Sequence, residues 1–186
     1  MRIVVIPGTN RAGALSAKLA ELVAADYRDL GHEADLLDLK EMGPAFLEPT
    51  AYKEPAAEVT ALVDRFLASD GVVFVVPEYN GSYPGVVKLL IDMLPYPAGM
   101  DQRPIAWIGL SAGQFKALRA VEALQAVAGY RNAYNYPRRV FIGESFKQFD
   151  GDKLADEELA NRLKQQAEGF CAFIAEVGGK QIKSRA

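Results

Sequence analysis

The stretch VVFVVPEYNGSYPGVVKLLIDML, Val72 to Leu94, decides the fold that this sequence predicts. Its first five residues, Val72 to Val76, are apolar without alternation, which is typical of a strand buried on both faces of a parallel sheet. Pro77 ends the strand because proline has no N–H to donate, and the polar segment Glu78 to Asn80 follows. Ligands of open parallel sheets bind at that carboxyl edge, so the sequence predicts a binding site here.

The next segment predicts a helix with an unusually wide apolar surface. Gly81 and Ser82 are expected to loosen the chain before the helix begins near Pro84. At about 100° per residue its apolar side chains cover roughly 200°, about twice the arc that faces one sheet. Only Lys88 and Asp92 mark a polar side. The second apolar face must pack against another helix of the same subunit or a second copy of the chain, and we expect a homodimer or homotetramer.

Composition and charge exclude several classes of function. The 186 residues, 50% hydrophobic and 24% charged, are expected to form a single domain over residues 1–186, with a frayed tail after Gly178. A net charge of −3, with Lys and Arg residues dispersed except at Arg138 and Arg139, argues against nucleic-acid binding. The sequence has no signal-peptide pattern and no run near the roughly 18 apolar residues of a membrane span, so a cytoplasmic protein is expected.

Cysteine and histidine each occur once in the sequence. The lone cysteine, Cys171, lies in an apolar helical pattern beside Phe170 and Phe173, which is typical of a packed core residue in a reducing cytoplasm. The single histidine, His32, lies in a predicted turn and excludes a multi-histidine metal site. Catalysis by a triad or by zinc is therefore not expected.

Strands and helices alternate along the whole sequence. Buried-strand patterns occur at Arg2–Ile6, Glu33–Leu39, Val72–Val76, Pro104–Leu110 and Val140–Ile142, the last with a possible earlier start near Tyr134. Helical patterns occur at about Leu15–Leu30, Ala56–Ala68, Pro84–Leu94, Phe115–Gly129 and Leu159–Val177. The alternation predicts a three-layer, doubly wound α/β fold with a five-stranded parallel sheet in the order 2-1-3-4-5. The long loop Lys40 to Pro55 is expected to pack on the core through its aromatic and apolar residues.

The turn after the first strand, Pro7 to Gly13, has the outline of a phosphate-binding loop. The following helix begins near Leu15, so its free N–H groups near Ser16 point at the carboxyl edge of the sheet. Thr9 and Ser16 add hydroxyl groups, and Arg11 adds a fork suited to two phosphate oxygens. The loop matches neither the dinucleotide nor the P-loop pattern. On this pattern alone the hydroxyls are equally explained as helix caps and Arg11 as a solvated side chain.

The loops after strands one, three and four are expected to meet in one cleft. The first loop offers hydrogen-bond donors for a phosphate, and the second offers the ring of Tyr79 and the amide of Asn80. The third loop is Ser111 to Gln114. A ligand with a phosphate at one end and a flat polar ring at the other fits such a cleft. Flavin mononucleotide (FMN) has that shape.

Two motifs carry a family resemblance. Gly8 to Arg11 matches the pattern Gly-Ser/Thr-x-Arg, and Pro77 to Lys88 matches Pro-Glu-Tyr-Asn-x-Ser-x-Pro-Gly-x-x-Lys. With these motifs the sequence resembles the NADPH-dependent FMN reductase family, flavodoxin-like flavoproteins that include chromate-reductase-like and quinone-reductase-like members. Ala14 departs from a frequent serine, and Leu89 departs from the asparagine that commonly follows the motif lysine.

The resemblance implies a cofactor site and an activity. It implies that Thr9, Arg11 and Ser16 hold the FMN phosphate. The residues implied around the isoalloxazine ring are Pro77, Glu78, Tyr79, Asn80, Ser111 and Gly113. The implied function is an NADPH- or NADH-dependent oxidoreductase that reduces quinones, azo compounds, metal oxyanions or free flavin by ping-pong hydride transfer through FMN. Because FMN carries this chemistry, no catalytic side chain is required.

Two other functions are compatible with the sequence. A flavodoxin-type electron carrier would share the fold and the flavin, but such carriers usually dock through strongly acidic surfaces, and −3 over 186 residues is mild. A binding module for a different phosphorylated ligand would also explain the first loop. The purified protein would then show no flavin absorption spectrum.

Overall fold

The structure is a computed structural model, and it describes residues 1–178. Its main sheet is parallel and contains the strands β1 (Arg2–Pro7), β2 (Glu33–Leu36), β3 (Gly71–Pro77), β4 (Pro104–Leu110), β5 (Tyr134–Asn135) and β6 (Val140–Ile142). The strand order is β2-β1-β3-β4, and both β5 and β6 pair with β4. The predicted order 2-1-3-4-5 is confirmed, with the fifth position divided between two short strands. The predicted fraying after Gly178 lies outside the described residues.

The helices cover both faces of this sheet. They are α1 (Leu15–Asp29), α2 (Ala57–Leu67), α3 (Gly85–Met93), α4 (Leu118–Tyr130) and α5 (Glu157–Gly178). Helices α1 and α5 share one hydrophobic core with the sheet, and α2, α3 and α4 share the other. The three-layer, doubly wound α/β architecture is therefore confirmed. Each helix within residues 1–178 is too short or too polar to cross a membrane.

Strand β3 lies at the centre of the molecule. All seven of its residues are buried, with Val72, Phe74 and Val76 in the core beneath α2 to α4 and Val73 and Val75 in the core beneath α1 and α5. This two-sided burial explains the unbroken valine run, because neither face of the strand meets water. The strand includes Pro77 as its last residue, and the polar residues begin directly after it.

The gap between β5 and β6 is closed by one side chain from α5. Pro137 lies in this gap, and it has no N–H with which to continue the ladder. Gln166 is only 4% exposed, and its Nε2 donates to Trp107 O of β4 at 3.0 Å and to Arg138 O at 2.8 Å. The amide of Gln166 thus satisfies carbonyl groups in the stretch where the fifth strand is interrupted.

Two element boundaries and the packing of one loop differ from the sequence prediction. Strand β2 ends at Leu36 instead of Leu39, and a short 3₁₀ turn begins at Leu39. In the loop Lys40 to Pro55, Phe46 is buried as predicted, but Leu47 and Tyr52 are exposed. Helix α4 begins at Leu118 because Lys116 and Ala117 both have positive φ angles, 53° and 64°, which cannot continue a right-handed helix.

The remaining elements lie between β6 and α5. A short 3₁₀ turn spans Ser145–Lys147, and an antiparallel hairpin is formed by β7 (Phe149–Asp150) and β8 (Lys153–Leu154). The hairpin turns at Gly151, which has a φ of +53°. Neither element was predicted from the sequence, because segments of two or three residues show no measurable periodicity.

Candidate cofactor site

A cavity of about 540 Å³ lies at the carboxyl edge of the main sheet. Segments that follow β1, β3, β4 and β6 form its wall. The lining residues are Arg11, Ala14, Leu15, Ser16, Pro77, Glu78, Tyr79, Asn80, Leu110, Ser111, Ala112 and Ser145. Small-molecule sites in proteins have volumes of about 300–1,000 Å³, so this cavity is large enough for a mononucleotide.

The loop between β1 and α1 turns sharply against β3. Gly8 N donates to Val75 O at 2.8 Å, and a Cβ atom at Gly8 would lie 3.1 Å from that oxygen and 3.2 Å from Cδ of Pro77. Only glycine fits this approach without displacing backbone atoms. Gly13, with a φ of +68°, then directs the chain into α1. The two glycines therefore bring the start of α1 to the cavity wall.

The start of α1 has unused donors. Its N-cap residue, Ala14, makes no side-chain capping bond, so the first N–H groups of the helix lack an intrahelical acceptor. Ser16 is 2% exposed, and its Oγ has no hydrogen-bond partner among the described residues. Leaving a buried polar group unpaired costs about 1–3 kcal/mol. With the exposed guanidinium of Arg11 at the same wall, this arrangement is suited to an anion.

Thr9 lies behind the cavity wall and links two loops. It is 2% exposed, and its Oγ1 lies 3.1 Å from the hydroxyl of Tyr79, in the loop after β3. The same Oγ1 accepts a hydrogen bond from the backbone N–H of Arg11 at 3.2 Å. Thr9 does not line the cavity; its hydroxyl holds Arg11 and Tyr79 in place instead.

The loop after β3 is a tight hairpin turn. Tyr79 N donates to Ser82 O at 2.8 Å, and Ser82 N donates back to Tyr79 O at 3.0 Å. The two central residues, Asn80 and Gly81, have φ angles of 52° and 76°, as a type I′ turn requires. The expectation that Gly81 and Ser82 loosen the chain is therefore wrong. Asparagine and glycine suit the two central positions of this turn because both tolerate the left-handed conformation.

Glu78 supplies an acceptor at the cavity wall. Its backbone N–H donates to Leu110 O at 3.3 Å, which extends the pairing of β3 with β4 by one residue. Its Oε2 atom is buried and has no hydrogen-bond partner among the described residues. A buried carboxylate oxygen without a partner is an acceptor for an N–H group of a ligand.

Ser111 connects the loops after β4 and β6. Its N–H donates to Ile142 O at 2.9 Å, its Oγ donates to Gly113 O at 3.2 Å, and its own carbonyl accepts from Ser145 N at 3.1 Å. Gly113 lies outside the cavity, in a neighbouring cleft of about 380 Å³. The cavity thus brings together Arg11, Ser16, Pro77, Glu78, Tyr79, Asn80 and Ser111, but neither Thr9 nor Gly113.

Sequence reasoning missed Ser145 in the cavity wall. The segment after β6 reaches the same sheet edge as the other loops, so the rule that placed the first three loops at the cavity applies to this one too. Ala14, Leu15 and Leu110 were also missed, because apolar residues at a helix start or a strand end have no distinctive pattern. Ala112 belongs to the loop Ser111 to Gln114 that was expected at the cleft.

Among the described residues that line the cavity, Arg11 carries the one cationic side chain. The other polar side chains are the hydroxyls of Ser16, Tyr79, Ser111 and Ser145, the amide of Asn80 and the carboxylate of Glu78. Cys171 is buried in the core beside α1, as predicted, and burial raises the pKa of its thiol. This set of side chains is suited to binding and orienting a ligand that carries its own reactive group.

The sequence profile of the NADPH-dependent FMN reductase family matches residues 1–148. The chain belongs to this family. It is therefore an oxidoreductase whose cofactor is FMN and whose electron donor is NADPH or NADH, and the predictions of family, enzyme class and cofactor are confirmed. Family membership also favours the enzyme over the non-enzymatic carrier.

Individual relatives agree with this assignment. The chain is 25% identical to an FMN reductase (NADPH) of Pseudomonas aeruginosa over 166 residues, which cover 89% of this chain and 88% of the relative. It is 30% identical to a 2-hydroxy-1,4-benzoquinone reductase of a Burkholderia species, with 94% and 96% covered. The structure of FerB, an NAD(P)H:(acceptor) oxidoreductase flavoenzyme of Paracoccus denitrificans, matches with a TM-score of 0.79 and 25% identity, covering 94% of this chain and 97% of FerB.

The donor set of the cavity fits FMN. A phosphate dianion needs several N–H and O–H donors and a positive charge, and the start of α1 offers free N–H groups, the unpartnered Ser16 hydroxyl and Arg11. An isoalloxazine ring needs a flat polar wall with both donors and acceptors. Tyr79, Asn80 and the free oxygen of Glu78 supply one.

Proposed function

We propose that this protein binds FMN in the cavity at the carboxyl edge and uses it to transfer hydride from NADPH or NADH to a small acceptor. One observation carries the proposal: the buried, unpartnered hydroxyl of Ser16 at the uncapped start of α1, beside Arg11. Folding leaves this group without a partner, and the phosphate of FMN supplies the missing acceptor. When bound, FMN accepts hydride from the nicotinamide and gives it to the acceptor.

Each wall of the cavity has a separate task in this proposal. Arg11, Ser16 and the N–H groups of the first turn of α1 bind the phosphate. Pro77, Glu78, Tyr79 and Asn80 would hold one face of the ring, and the hydrogen bonds within the type I′ turn and between the hydroxyls of Thr9 and Tyr79 keep this wall rigid. Ser111 and Ser145 close the third side, and Gly113 acts through its carbonyl, which orients the Ser111 hydroxyl.

We propose quinones as the first acceptors to test, with azo compounds, metal oxyanions and free flavin as further candidates. The Burkholderia relative, at 30% identity over 94% of the chain, is named for a benzoquinone and supports this order. With the wall at Pro77 to Asn80 against one face of the ring, donor and acceptor would share the other face and would react in turn. The expected kinetics are ping-pong, with parallel double-reciprocal lines at several fixed acceptor concentrations; intersecting lines would show a ternary complex and contradict the one-face arrangement.

The experiment for the cofactor is direct. The purified protein is expected to be yellow, and chromatography of the released cofactor is expected to give FMN and not FAD. Protein stripped of flavin is expected to take up FMN, with quenching of flavin fluorescence as the measurement. Recovery of FAD alone, or failure of the stripped protein to take up FMN, contradicts the proposed site.

We further propose a homodimer or homotetramer in the cytoplasm, where the nicotinamide donor is available. Helix α3 buries Val87, Leu90 and Ile91 in its own subunit, whereas Val86, Leu89 and Met93 are only partly buried. This remaining apolar face supports contact with a second copy. Light scattering is expected to give a mass of two or four chains, and Leu89→Lys is expected to shift it toward one. A wild-type monomer at micromolar concentration contradicts this assembly.

A further inference from the structure

A second cleft, of about 400 Å³, lies beside the divided fifth strand on the α5 side of the sheet. Its lining residues are Pro137, Arg138, Arg139, Val140, Phe141, Arg162, Gln165 and Gln166. Three arginines from two separate elements, the strand segment and α5, therefore face one cleft. No carboxylate is among the described residues that line it. Since the whole chain carries a net charge of −3, this cluster is not part of a general basic surface.

One of these arginines is fixed by its neighbours. Nη1 of Arg139 donates to Oε1 of Gln125 at 3.0 Å and lies 3.5 Å from Oε1 of Glu122. The guanidinium also lies over the ring of Phe141, with 5.1 Å from Cζ to the ring centroid. Arg139 is thus held in one orientation, and Glu122 partly offsets its charge.

The other two arginines have unused charge. Within residues 1–178, the guanidinium groups of Arg138 and Arg162 make no hydrogen bond and no ion pair. Arg162 and Phe141 also line the adjoining cleft, in which the acidic residues are Glu144 and Asp156. The guanidinium of Arg139 is directed to Gln125 and Glu122 of α4, so the net positive charge of the cleft comes from the unpaired guanidinium groups of Arg138 and Arg162.

The floor of the cleft is rigid. Gln166 is 4% exposed and joins α5 to the strand segment through its hydrogen bonds to Trp107 O and Arg138 O. This connection holds the backbone of Arg138 at a fixed distance from α5, which carries Arg162. The separation of the two arginines is therefore set by the fold and not by a flexible loop.

We propose that this cleft binds the phosphate group of a phosphorylated small molecule. A guanidinium offers a planar fork of N–H donors that matches two oxygens of a phosphate, and a dianion offsets the charge of Arg138 and Arg162 together. The site is separate from the phosphate loop at α1, which involves none of these residues.

Two sources of such a phosphate differ in their consequences. One is a free phosphorylated metabolite. The other is the 2′-phosphate of NADPH, since the arginine cleft adjoins the cleft of Gly113 and Glu144, whose neighbours Ser111 and Ser145 line the FMN cavity. This second source rests on the function proposed above, because it requires a nicotinamide that reacts at that cavity. NADH lacks the 2′-phosphate, so it serves as the natural control.

The test begins with inorganic phosphate and the protein saturated with FMN, so that the loop at α1 is occupied. Binding is followed by phosphorus NMR in wild type, Arg138→Gln, Arg162→Gln and Arg162→Lys. The matched control is Lys164→Gln, which removes one positive charge from the same helix and does not line the cleft. We expect each Arg→Gln change to weaken phosphate binding about tenfold or more, because it removes a charge-assisted hydrogen bond. We expect an intermediate loss in Arg162→Lys.

Steady-state rates with NADPH and with NADH then identify the source. If NADPH supplies the phosphate, KM for NADPH rises about tenfold in the Arg→Gln variants and KM for NADH does not change. If a free metabolite supplies it, both KM values match wild type while phosphate binding is lost. Phosphate binding that is equal in the variants and in Lys164→Gln overturns the site. Protein that takes up no FMN refutes the proposed function alone, because the phosphate titration of the same variants still decides this inference.

Discussion

Helices α1 and α5 pack side by side on one face of the sheet and begin toward the same edge, yet their first turns are built in opposite ways. In α5, Oδ1 of Asp156 accepts hydrogen bonds from Glu158 N at 2.8 Å and Leu159 N at 3.2 Å. Glu157 and Glu158 add negative charge to that turn. In α1 the first turn has no acidic residue and no side-chain cap.

The difference separates stability from binding. The positive end of the dipole of α5 is compensated by carboxylates of the chain itself, which stabilises the helix in the absence of any ligand. The corresponding end of α1 faces the cavity with free N–H groups and the unpartnered Ser16 hydroxyl. We therefore expect substitutions at the start of α1 to change FMN affinity and substitutions at the start of α5 to change the free energy of unfolding.

The largest effect is expected for Arg11→Ala. Loss of a charge-assisted bond to phosphate should weaken FMN binding by about 1.5–3 kcal/mol and leave the unfolding free energy of the flavin-free protein unchanged. Fluorescence titration of stripped protein measures the affinity. The control is Arg28→Ala, the same change at the far end of α1, where FMN affinity should match wild type. Equal affinity in both variants would return Arg11 to the role of a solvated side chain.

Ser16→Ala is expected to act in opposite directions on the two properties. Without FMN, removal of a buried hydroxyl that has no partner should leave the protein equally stable or up to about 1 kcal/mol more stable. With FMN, loss of the hydrogen bond should weaken binding by about 1 kcal/mol. Urea unfolding and FMN titration measure the two. A large loss of stability in flavin-free Ser16→Ala would mean that the hydroxyl already has a structural partner.

Asp156→Ala tests the other helix. Removal of the N-cap should lower the free energy of unfolding by about 1 kcal/mol and leave FMN affinity unchanged. Asp156→Asn keeps an oxygen acceptor and should retain most of the stability. If Asp156→Ala weakens FMN binding as much as Arg11→Ala does, the division of tasks between the two helices is wrong.

The smallest effect is expected near the end of α1, at Asp26. Burial raises the pKa of Asp26 from 3.8 to about 6, while Lys164 lowers it and Asp29 raises it. The unfolded chain therefore releases this proton at lower pH than the folded protein does, and stability falls as pH rises from 3.8 to about 6. Above pH 6 Asp26→Asn should be more stable than wild type by about 1 kcal/mol after allowance for partial exposure. At about pH 4 urea unfolding should show almost no difference, and a constant difference across this range would rule out titration of Asp26 as its cause.

The sequence predicted best where one local property was decisive. The bounds Pro104–Leu110 of β4 follow from an apolar run without alternation, which few structures other than a buried strand accommodate. Adjacent asparagine and glycine favour a type I′ turn, so Asn80 and Gly81 also indicate this turn locally, although a loosened chain was predicted there. Lys116 and Ala117 in the left-handed region were not readable, because neither residue type prefers that conformation.

Features that depend on distant contacts were outside the reach of local patterns. The division of the fifth strand depends on Gln166, which lies on α5 and whose helical pattern gives no indication of a bond to Trp107. The contact of the Thr9 hydroxyl with the hydroxyl of Tyr79, 70 residues away, likewise has no local signal in the sequence. Both cases need the assembled fold before the partner of the side chain can be named.

The divided fifth strand also affects how neighbouring molecules meet. The edge of a sheet exposes unpaired N–H and C=O groups, to which a strand of another chain can add. Here the edge segments are two and three residues long, Pro137 between them has no N–H, and Arg138 and Arg139 follow at once. If the edges of two molecules approached each other, the arginines would repel one another and the hydrogen-bond ladder between the strands would be incomplete. The interruption that forms the arginine cleft therefore also opposes growth of the sheet from one molecule into the next, and so protects the protein against aggregation.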